Sequence, residues 1–384
     1  MRRGSPPTAS RSRSVRLAPQ SINRSNLNSD PPNYPAFCRG EELHIGMHRR
    51  RSVTSKVGLG PRIEPHNRRG QCLTVAAATN WSPDFMRIAL VGAVEGSRVA
   101  FDALVEAGMA PSLLVTLADE ASARHSDFVD LSGPARAAGA SVHLTKNINA
   151  PDTIAWLAEG RPDLTLVVGW SQICRAEFRA IAHLGSIGFH PAPLPRFRGR
   201  AVIPWTIIAN EKETGSTFFR LDEGVDSGPI VMQKLFPVTE DETARSLYEK
   251  HKQALREMTP LVVSAIARDN SVGVVQDDSL ASYCAKRSAG DGSIDWTQTA
   301  ESILRLVRAV GDPYPGAFTL DGGSKIFVDQ ARMFAGRGRY IGLSGQVQAH
   351  TGSGFAVLCG DGETIEVTSW RGTKPKVHAK LVSA

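Results

Sequence analysis

From residue 86 onward, the sequence contains short apolar runs and a segment whose apolar residues recur at the spacing of a helix. This alternation limits the folds that the chain can adopt. Residues 88–92, 112–117 and 164–169 are apolar runs, and residues 99–107 have the spacing of a helix. Runs that are apolar throughout predict strands buried on both faces. Strands separated by helices favour a parallel sheet covered by helices. The pattern therefore predicts an α/β domain.

A longer helix is predicted over residues 239–268. Thr239 and Glu242 have the spacing of a capping box, and apolar side chains recur along one face as far as Ile266. His251 lies on this apolar face. We therefore interpret His251 as a packed residue rather than a catalytic one.

The sequence changes character after residue 280. A short helix is predicted over 302–310, ending at Gly311. Short runs rich in Gly and β-branched residues follow, at 325–334, 345–352, 354–362 and 364–370. Such runs are typical of a small β-barrel. We predict an α/β domain at 86–280 and a separate β-domain at 281–384.

Positive charge is concentrated in the first 85 residues. They hold 14 Lys/Arg against 5 Asp/Glu, which leaves 31 against 33 in residues 86–384. The near-neutral body removes the global electrostatic argument for a nucleic-acid partner. The leader is rich in Arg and Ser without apolar periodicity, so we predict that it is disordered. A translation start at Met86, an organellar targeting segment and a basic nucleic-acid arm are all compatible with this composition.

The cysteines indicate a reducing compartment. They are odd in number, widely spaced and lack a C-x-x-C pair: Cys38, Cys72, Cys174, Cys284 and Cys359. A disulfide framework or a zinc site is therefore not expected. No window approaches the roughly 18 consecutive apolar residues that span a bilayer. We expect a cytoplasmic protein with no metal and no membrane anchor, unless residues 1–85 direct it to an organelle.

The densest group of chemically active residues lies at 185–233. His190 is followed by three prolines within five residues, and prolines fix φ and remove hydrogen-bond donors. Asp226 lies in the turn-forming segment D-E-G-V-D-S-G-P. A histidine that exchanges a proton near pH 7, with a carboxylate that orients it, suits acyl transfer to an amine.

This segment resembles the folate-dependent formyltransferase family, whose pattern is N-x-H-x-S-L-L-P-x-Y-R-G followed by D-x-G-P-I. The matching positions are His190, Pro191, Leu194, Pro195, Arg198, Gly199, Trp205, Thr214, Gly215, Thr217, and Asp226 through Ile230. "KRSAGDGSIDW" and "RLVRAVGDPYPGAF" also look like the second-domain entry of methionyl-tRNA formyltransferase and of the domain that formylates UDP-4-amino-4-deoxy-L-arabinose. The resemblance implies a Rossmann-like parallel-sheet catalytic domain followed by an OB-like β-barrel.

The resemblance also implies a reaction and its residues. The family moves the formyl group of 10-formyltetrahydrofolate to a primary amine. His190 would hold the developing oxyanion, and Asp226 would fix the charge of His190 and help remove the amine proton through a water molecule. The implied pterin pocket comprises Trp170, Ser171, Ile173, Leu221, Gly224, Val225 and Ser227.

One position departs from the family pattern. The family Asn two residues before the His is Gly188 here. That Asn donates to the formyl oxygen, and loss of such a donor costs on the order of 10²–10³ in turnover. We hypothesise that the Gln172 amide supplies the missing donor, with Ser171 as the second choice.

A further set of residues is predicted to bind the amine substrate. The loop from Gly92 to Ser97 enters a helix, so its amides suit an anionic group, although a plain strand-to-helix turn fits equally well. Pro191, Arg198 and Gly199 are further candidates. Arg198 either meets phosphates or braces the loop by hydrogen bonds.

Three functions compete at this point. N-formylation of a small amine, with an amino sugar on a nucleotide as the favoured acceptor, fits the near-neutral body. Formylation of methionyl-tRNA would require a basic face. A folate-binding pseudoenzyme would explain the loss of Asn at Gly188. A formyl-folate hydrolase, with water in the position of the amine, is a minor fourth possibility. The oligomeric state is open, and a homodimer is compatible with the sequence.

Overall fold

The computed structural model describes residues 44–45, 86–118, 127–336 and 338–384. The predictions for the leader at 1–85 lie outside the described residues, except that His44–Ile45 forms a two-residue strand paired antiparallel with residues Met232 and Gln233.

The described strands, in chain order, are β1 (His44–Ile45), β2 (Ile88–Val91), β3 (Leu113–Leu117), β4 (Ser141–Thr145), β5 (Leu164–Val167), β6 (Ser186–His190), β7 (Arg198–Gly199), β8 (Glu213–Arg220), β9 (Ile230–Pro237), β10 (Tyr283–Cys284), β11 (Ala317–Asp321), β12 (Ser324–Met333), β13 (Val347–His350), β14 (Phe355–Leu358) and β15 (Thr364–Arg371). The described α-helices are α1 (Glu95–Glu106), α2 (Ser132–Ala137), α3 (Pro151–Gly160), α4 (Ala176–Arg179), α5 (Val202–Ile208), α6 (Ala244–Arg268) and α7 (Ala300–Val310).

The first sheet has the strand order β1-β9-β8-β6-β5-β2-β3-β4. Strands β2 to β6 run parallel, which confirms the predicted parallel sheet, and β8 and β9 add an antiparallel edge. Every residue of β2, β3 and β5 is buried, as expected for strands covered by helices on both faces. The carboxyl ends of β2, β5 and β6 meet at one edge, where α/β sheets place their ligands.

The longest helix begins later than its predicted start. Thr243 caps α6 and accepts a hydrogen bond from the backbone of Ser246, so the helix runs over Ala244–Arg268. Thr239 and Glu242 are hydrogen-bonded to each other as predicted, but in the turn before the helix. His251 is 1% exposed, which confirms that it is packed.

The second sheet has the antiparallel order β11-β12-β15-β14-β13. Helix α7 packs its buried face against this sheet. The carboxyl-terminal segment bonds to both sheet edges, through Val382 to Leu320 of β11 and through Ala379 to Val347 of β13. The result is a half-barrel, which confirms a small β-domain after the α/β sheet. Among the described residues, no helix has the length and apolar character needed to cross a membrane.

Candidate active site

A cavity of about 1150 Å³ opens at the carboxyl ends of β5 and β6. Its wall is formed by the turn after β5, the end of β6, the loop after β8, one face of α6 and the segment around β10. Both His190 and Asp226 line it. The sheet edge and the predicted catalytic pair therefore coincide.

His190 is the last residue of β6 and is 6% exposed. Its Nε2 lies 2.7 Å from the carbonyl oxygen of Phe197. A carbonyl only accepts, so Nε2 carries a proton and donates it to this bond. The proline-rich loop at 191–195 is held by two hydrogen bonds. Thr217 donates to the Ala192 carbonyl, and Gln233 donates to the Leu194 carbonyl. The histidine is therefore fixed in one orientation.

Asp226 faces the other nitrogen of His190. Its Oδ2 lies 3.6 Å from His190 Nδ1 and accepts a 2.7 Å bond from the amide of Gly199. Gly199 has φ +104, and a Cβ there would lie 2.6 Å from the Cys284 carbonyl oxygen, so only glycine permits this pairing of β7 with β10. Both nitrogens of His190 thus face oxygen acceptors, a geometry that the imidazolium form satisfies.

Arg198 lies behind the wall rather than on it. Its side chain is 1% exposed and donates to Gln276 Oε1 and to Asp278 Oδ1 at 2.7 Å. Gln276 in turn donates to the carbonyls of Asp226 and Gly228. Arg198 therefore has the bracing role that the sequence left open. Gln276, which connects it to the Asp226 turn, was missed because nothing in its local sequence marks it.

Most of the predicted pterin residues come together in the cavity that contains His190. Six of the seven line the cavity: Trp170, Ser171, Ile173, Leu221, Gly224 and Val225. The seventh, Ser227, donates to Asp222 Oδ1 at 2.9 Å and so holds the turn. The Trp170 indole N–H is buried without a hydrogen-bond partner among the described residues, a donor that fits an acceptor atom of a bound heterocycle.

Gln172 also lines the cavity, but both ends of its amide are engaged. Its Oε1 accepts from the Ile148 amide at 2.8 Å, and its Nε2 donates to the Lys146 carbonyl at 2.7 Å. A carboxamide nitrogen carries two protons, so one remains for a ligand. Its role as oxyanion donor stays a prediction.

The space beside Gly188 is already filled. A Cβ at this position would lie 2.7 Å from Leu221 Cδ2 and 3.0 Å from the Phe219 ring. The side chains of Leu221 and Phe219 thus occupy the volume that a side chain at position 188 would need.

Gly92 and Ser97 prove to be packing residues, so direct substrate contact does not fit them. Ser97 is fully buried, and its hydroxyl donates to the Val168 carbonyl at 2.7 Å and accepts from the Val94 amide. A Cβ at Gly92 would lie 2.2 Å from Ser97 Oγ. Of this loop, Val94 and Gly96 line the cavity instead.

Helix α6 supplies a wall that the sequence did not indicate. Tyr248, His251, Lys252 and Leu255 line the cavity. The Tyr248 hydroxyl accepts from the Gly96 amide at 3.3 Å and donates to Asp127 Oδ2 at 2.7 Å. In the sequence, the only feature that groups these four residues is their spacing of three and four positions. A helix face that is simply buried has the same spacing.

No group of three or more His, Cys, Asp or Glu among residues 86–118, 127–336 and 338–384 is placed to hold a metal ion.

Two family models match the chain. The model described as "Formyl transferase" matches residues 110–263, and the model described as "Formyl transferase, C-terminal domain" matches residues 286–381. Together they cover the first sheet except for β1 and β2, and the whole of the second sheet.

Solved structures share the fold at low sequence identity. HypX from Aquifex aeolicus, solved with tetrahydrofolic acid, is 19% identical with a TM-score of 0.53, covering 78% of this chain and 46% of HypX. WlaRD, a sugar 3N-formyl transferase solved with dTDP and 5-N-formyl-THF, is 17% identical with a TM-score of 0.55, covering 74% and 97%. An N-formyltransferase from Helicobacter canadensis, solved with folinic acid and dTDP-3-aminofucose, is 16% identical with a TM-score of 0.54, covering 74% and 99%. The chain thus spans about half the length of HypX.

Proposed function

Because this chain belongs to the formyl transferase family, we propose that it moves the formyl group of 10-formyltetrahydrofolate to a primary amine. The observation that carries the proposal is the pair formed by His190 and Asp226 inside a cavity of about 1150 Å³. In the proposed reaction the amine nitrogen bonds to the formyl carbon, the bond from that carbon to the folate nitrogen breaks, and a proton passes from the amine to the folate nitrogen. The proposed catalytic domain is 86–280, and the proposed β-domain is 281–384.

His190 stabilises the negative charge that develops on the formyl oxygen. Its Nε2 is occupied by the Phe197 carbonyl, so Nδ1 is the nitrogen that can reach a ligand. The distance of 3.6 Å between Nδ1 and Asp226 Oδ2 is short enough for the carboxylate to stabilise a positively charged ring. It is too long for a strong hydrogen bond, so a ligand can bind Nδ1 without breaking one. Such preorganised charge is where much of the rate enhancement of acyl transfer originates.

Asp226 orients His190 and, through a water molecule, accepts the proton that the amine loses. The Gly199 amide holds Oδ2 in position, and the backbone of Asp226 is fixed by Gln276. A carboxylate held in this way acts as a general base only within hydrogen-bond reach of the proton, directly or through one water.

Gln172 is the proposed donor to the formyl oxygen in place of the family Asn. The experiment is Gln172→Ala, which should lower turnover well beyond twofold. Asn149→Ala is a matched control, because Asn149 also ties the loop after β4 to the loop after β5 but does not line the cavity. Turnover of Gln172→Ala within twofold of the unaltered protein would remove Gln172 from the mechanism.

A nucleotide-linked amino sugar is the proposed amine substrate. Arg200 and Lys286 are exposed cations on the cavity wall, which suits a diphosphate. The 31 basic against 33 acidic residues in 86–384 do not suit a polyanion of tRNA size. WlaRD and the Helicobacter canadensis enzyme share the fold, and their structures hold dTDP and dTDP-3-aminofucose.

The test is release of tetrahydrofolate by the full chain given 10-formyltetrahydrofolate. The acceptors are dTDP-3-aminofucose, UDP-4-amino-4-deoxy-L-arabinose, methionyl-tRNA and none. Release that depends on an amino sugar supports the proposal, and release that depends on methionyl-tRNA replaces the proposed substrate. Release without any acceptor indicates a hydrolase, and folate binding without release indicates a pseudoenzyme.

A further inference from the structure

His251 is a buried histidine on the cavity wall that the proposed mechanism does not use. It lies on α6 on the same face as Tyr248, Lys252 and Leu255, and all four line the cavity. Its ring is 1% exposed and packs edge-on against Phe236. It is therefore held rigidly beside the space in which the substrates meet.

One nitrogen of His251 is bonded and the other is not. Nδ1 lies 2.9 Å from the hydroxyl of Ser216, whereas Nε2 is buried without a hydrogen-bond partner among the described residues. Buried polar atoms without a partner are rare in native proteins, and a missing ligand is one of the usual reasons.

The bond to Ser216 decides which nitrogen carries the proton. If the Ser216 hydroxyl donates to Nδ1, one donor, Nε2–H, is left without an acceptor. If Nδ1–H donates to the Ser216 oxygen instead, two groups are left unpaired: the Ser216 O–H has no acceptor, and Nε2 has no donor. The first arrangement leaves fewer unpaired groups, so Nε2–H is the protonated nitrogen.

We propose that His251 Nε2–H donates a hydrogen bond to an oxygen atom of the amine substrate and thereby selects substrates that carry an oxygen near the amine. This inference rests on the proposed formyl transfer and adds a specificity-determining residue to it. The partner is an oxygen rather than the amine, because the attacking nitrogen must keep its lone pair free.

The position of His251 assigns it to the amine substrate rather than to the formyl group. It shares its wall with Tyr248, which is bonded to Gly96 in the loop after β2, whereas the predicted pterin residues lie in the loops after β5 and β8. Ser216, which holds His251, and Phe219, which fills the space beside Gly188, point to opposite faces of β8. His251 thus does not stand in for the family Asn.

Two variants separate the donor role from a structural one. In His251→Asn the shorter amide reaches the position of Nδ1 and keeps the bond to Ser216, but loses the donor to the cavity. In His251→Gln the longer amide places its nitrogen at the position of Nε2 and keeps that donor. The measurement is KM and kcat for dTDP-3-aminofucose and for 10-formyltetrahydrofolate, with the melting temperature of each variant.

We expect His251→Asn to raise KM for the amino sugar about tenfold and His251→Gln to remain within about threefold of the unaltered protein. KM for 10-formyltetrahydrofolate should change less than about twofold in both. An unchanged amino-sugar KM in His251→Asn, or equal losses in both variants and for both substrates, overturns the inference while leaving the formyl transfer intact. Absence of transfer by the unaltered protein overturns the proposed function and this inference together.

A second measurement applies even where a variant does not fold. In the unaltered protein with ¹⁵N-labelled histidine, the ring of His251 should show the Nε2–H form, and its Nε2 resonance should shift when dTDP-3-aminofucose is added. The Nδ1–H form, or a resonance that the amino sugar leaves unchanged, overturns the inference.

Discussion

The cavity has two walls of different construction. The loop wall, defined as residues 169–174 and 221–226, consists of two turns that follow β5 and β8 and contain Gly169 and Gly224. The helix wall, defined as Tyr248, His251, Lys252 and Leu255, is one face of a regular helix. The loop wall is visible in the sequence because turns require particular residues. The helix wall is not, since a functional face and a packed face have the same spacing.

The largest expected effect lies where the loop wall meets β6. His190→Ala and Asp226→Asn should each lower turnover by about 10²–10⁴, because both remove the preorganised charge at the formyl oxygen. The measurement is kcat at saturating amino sugar. His183→Ala is the control, since that exposed side chain lies outside the cavity. Full activity in either variant would contradict the assigned mechanism.

Arg198→Lys tests whether the loop wall depends on its buried support. A lysine cannot reproduce the bonds to Gln276, Asp278 and Tyr283 together, so the unfolding free energy should fall by about 2–4 kcal/mol. Urea unfolding measures this loss. Arg196→Lys, which changes a largely exposed ion pair with Glu211, should cost about 0–1 kcal/mol. Equal losses of unfolding free energy in the two variants would show that Arg198 contributes no more to stability than the exposed Arg196.

The helix wall should make the protein sensitive to acid. Burial lowers the pKa of His251 to about 3, with His190 and Lys250 adding to the effect. The unfolded chain, with a histidine pKa of about 6.5, binds the proton more readily than the folded one. The part of the unfolding free energy that depends on a neutral His251 is therefore fully present above pH 6.5. It is lost as the pH falls toward 3, at about 1.4 kcal/mol per pH unit.

Between pH 7 and pH 5, this group alone should cost about 2 kcal/mol of unfolding free energy. Urea unfolding at the two pH values, for the unaltered protein and for His251→Leu, measures the difference. The variant should lose about 2 kcal/mol less over the same interval. An identical pH dependence in both would show that His251 does not titrate in this range.

Gly188→Asn gives the smallest effect and asks whether the family donor can be restored. The new side chain would collide with Leu221 and Phe219, so we expect a loss of about 1–3 kcal/mol in unfolding free energy. Adding Leu221→Ala should recover part of that loss by making room. If Gly188→Asn is as stable as the unaltered protein, the space beside Gly188 is more adaptable than the structure indicates.

Much of the α/β sheet could be predicted, because buried parallel strands and their turns have strong local signals. The runs at 88–92, 112–117 and 164–169 became β2, β3 and β5 to within two residues at either end. The start of α6 was misplaced by five residues, because Thr239 and Glu242 do form their bonds, but in a turn. Thr239 with Glu242 and Thr243 with Ser246 are two possible capping pairs four residues apart. Capping propensity alone does not decide which of them begins the helix.

The candidate site was predicted in part. His190 and Asp226 could be paired from the sequence because the strand end and the turn each carry a recognisable pattern. The burial of Ser97 and the bracing by Arg198 could not, since each depends on a residue distant in sequence: Val168 for Ser97 and Gln276 for Arg198.

The sequence by itself predicted β2, β3 and β5, the presence of α6, and the candidate residues His190 and Asp226, because each of these rests on a pattern within a short segment. Only the tertiary structure decided that Leu221 and Phe219 fill the space beside Gly188, and that an apolar stripe on α6 presents His251 to the cavity. Packing brings together side chains from distant segments, and no local pattern records which of them will meet.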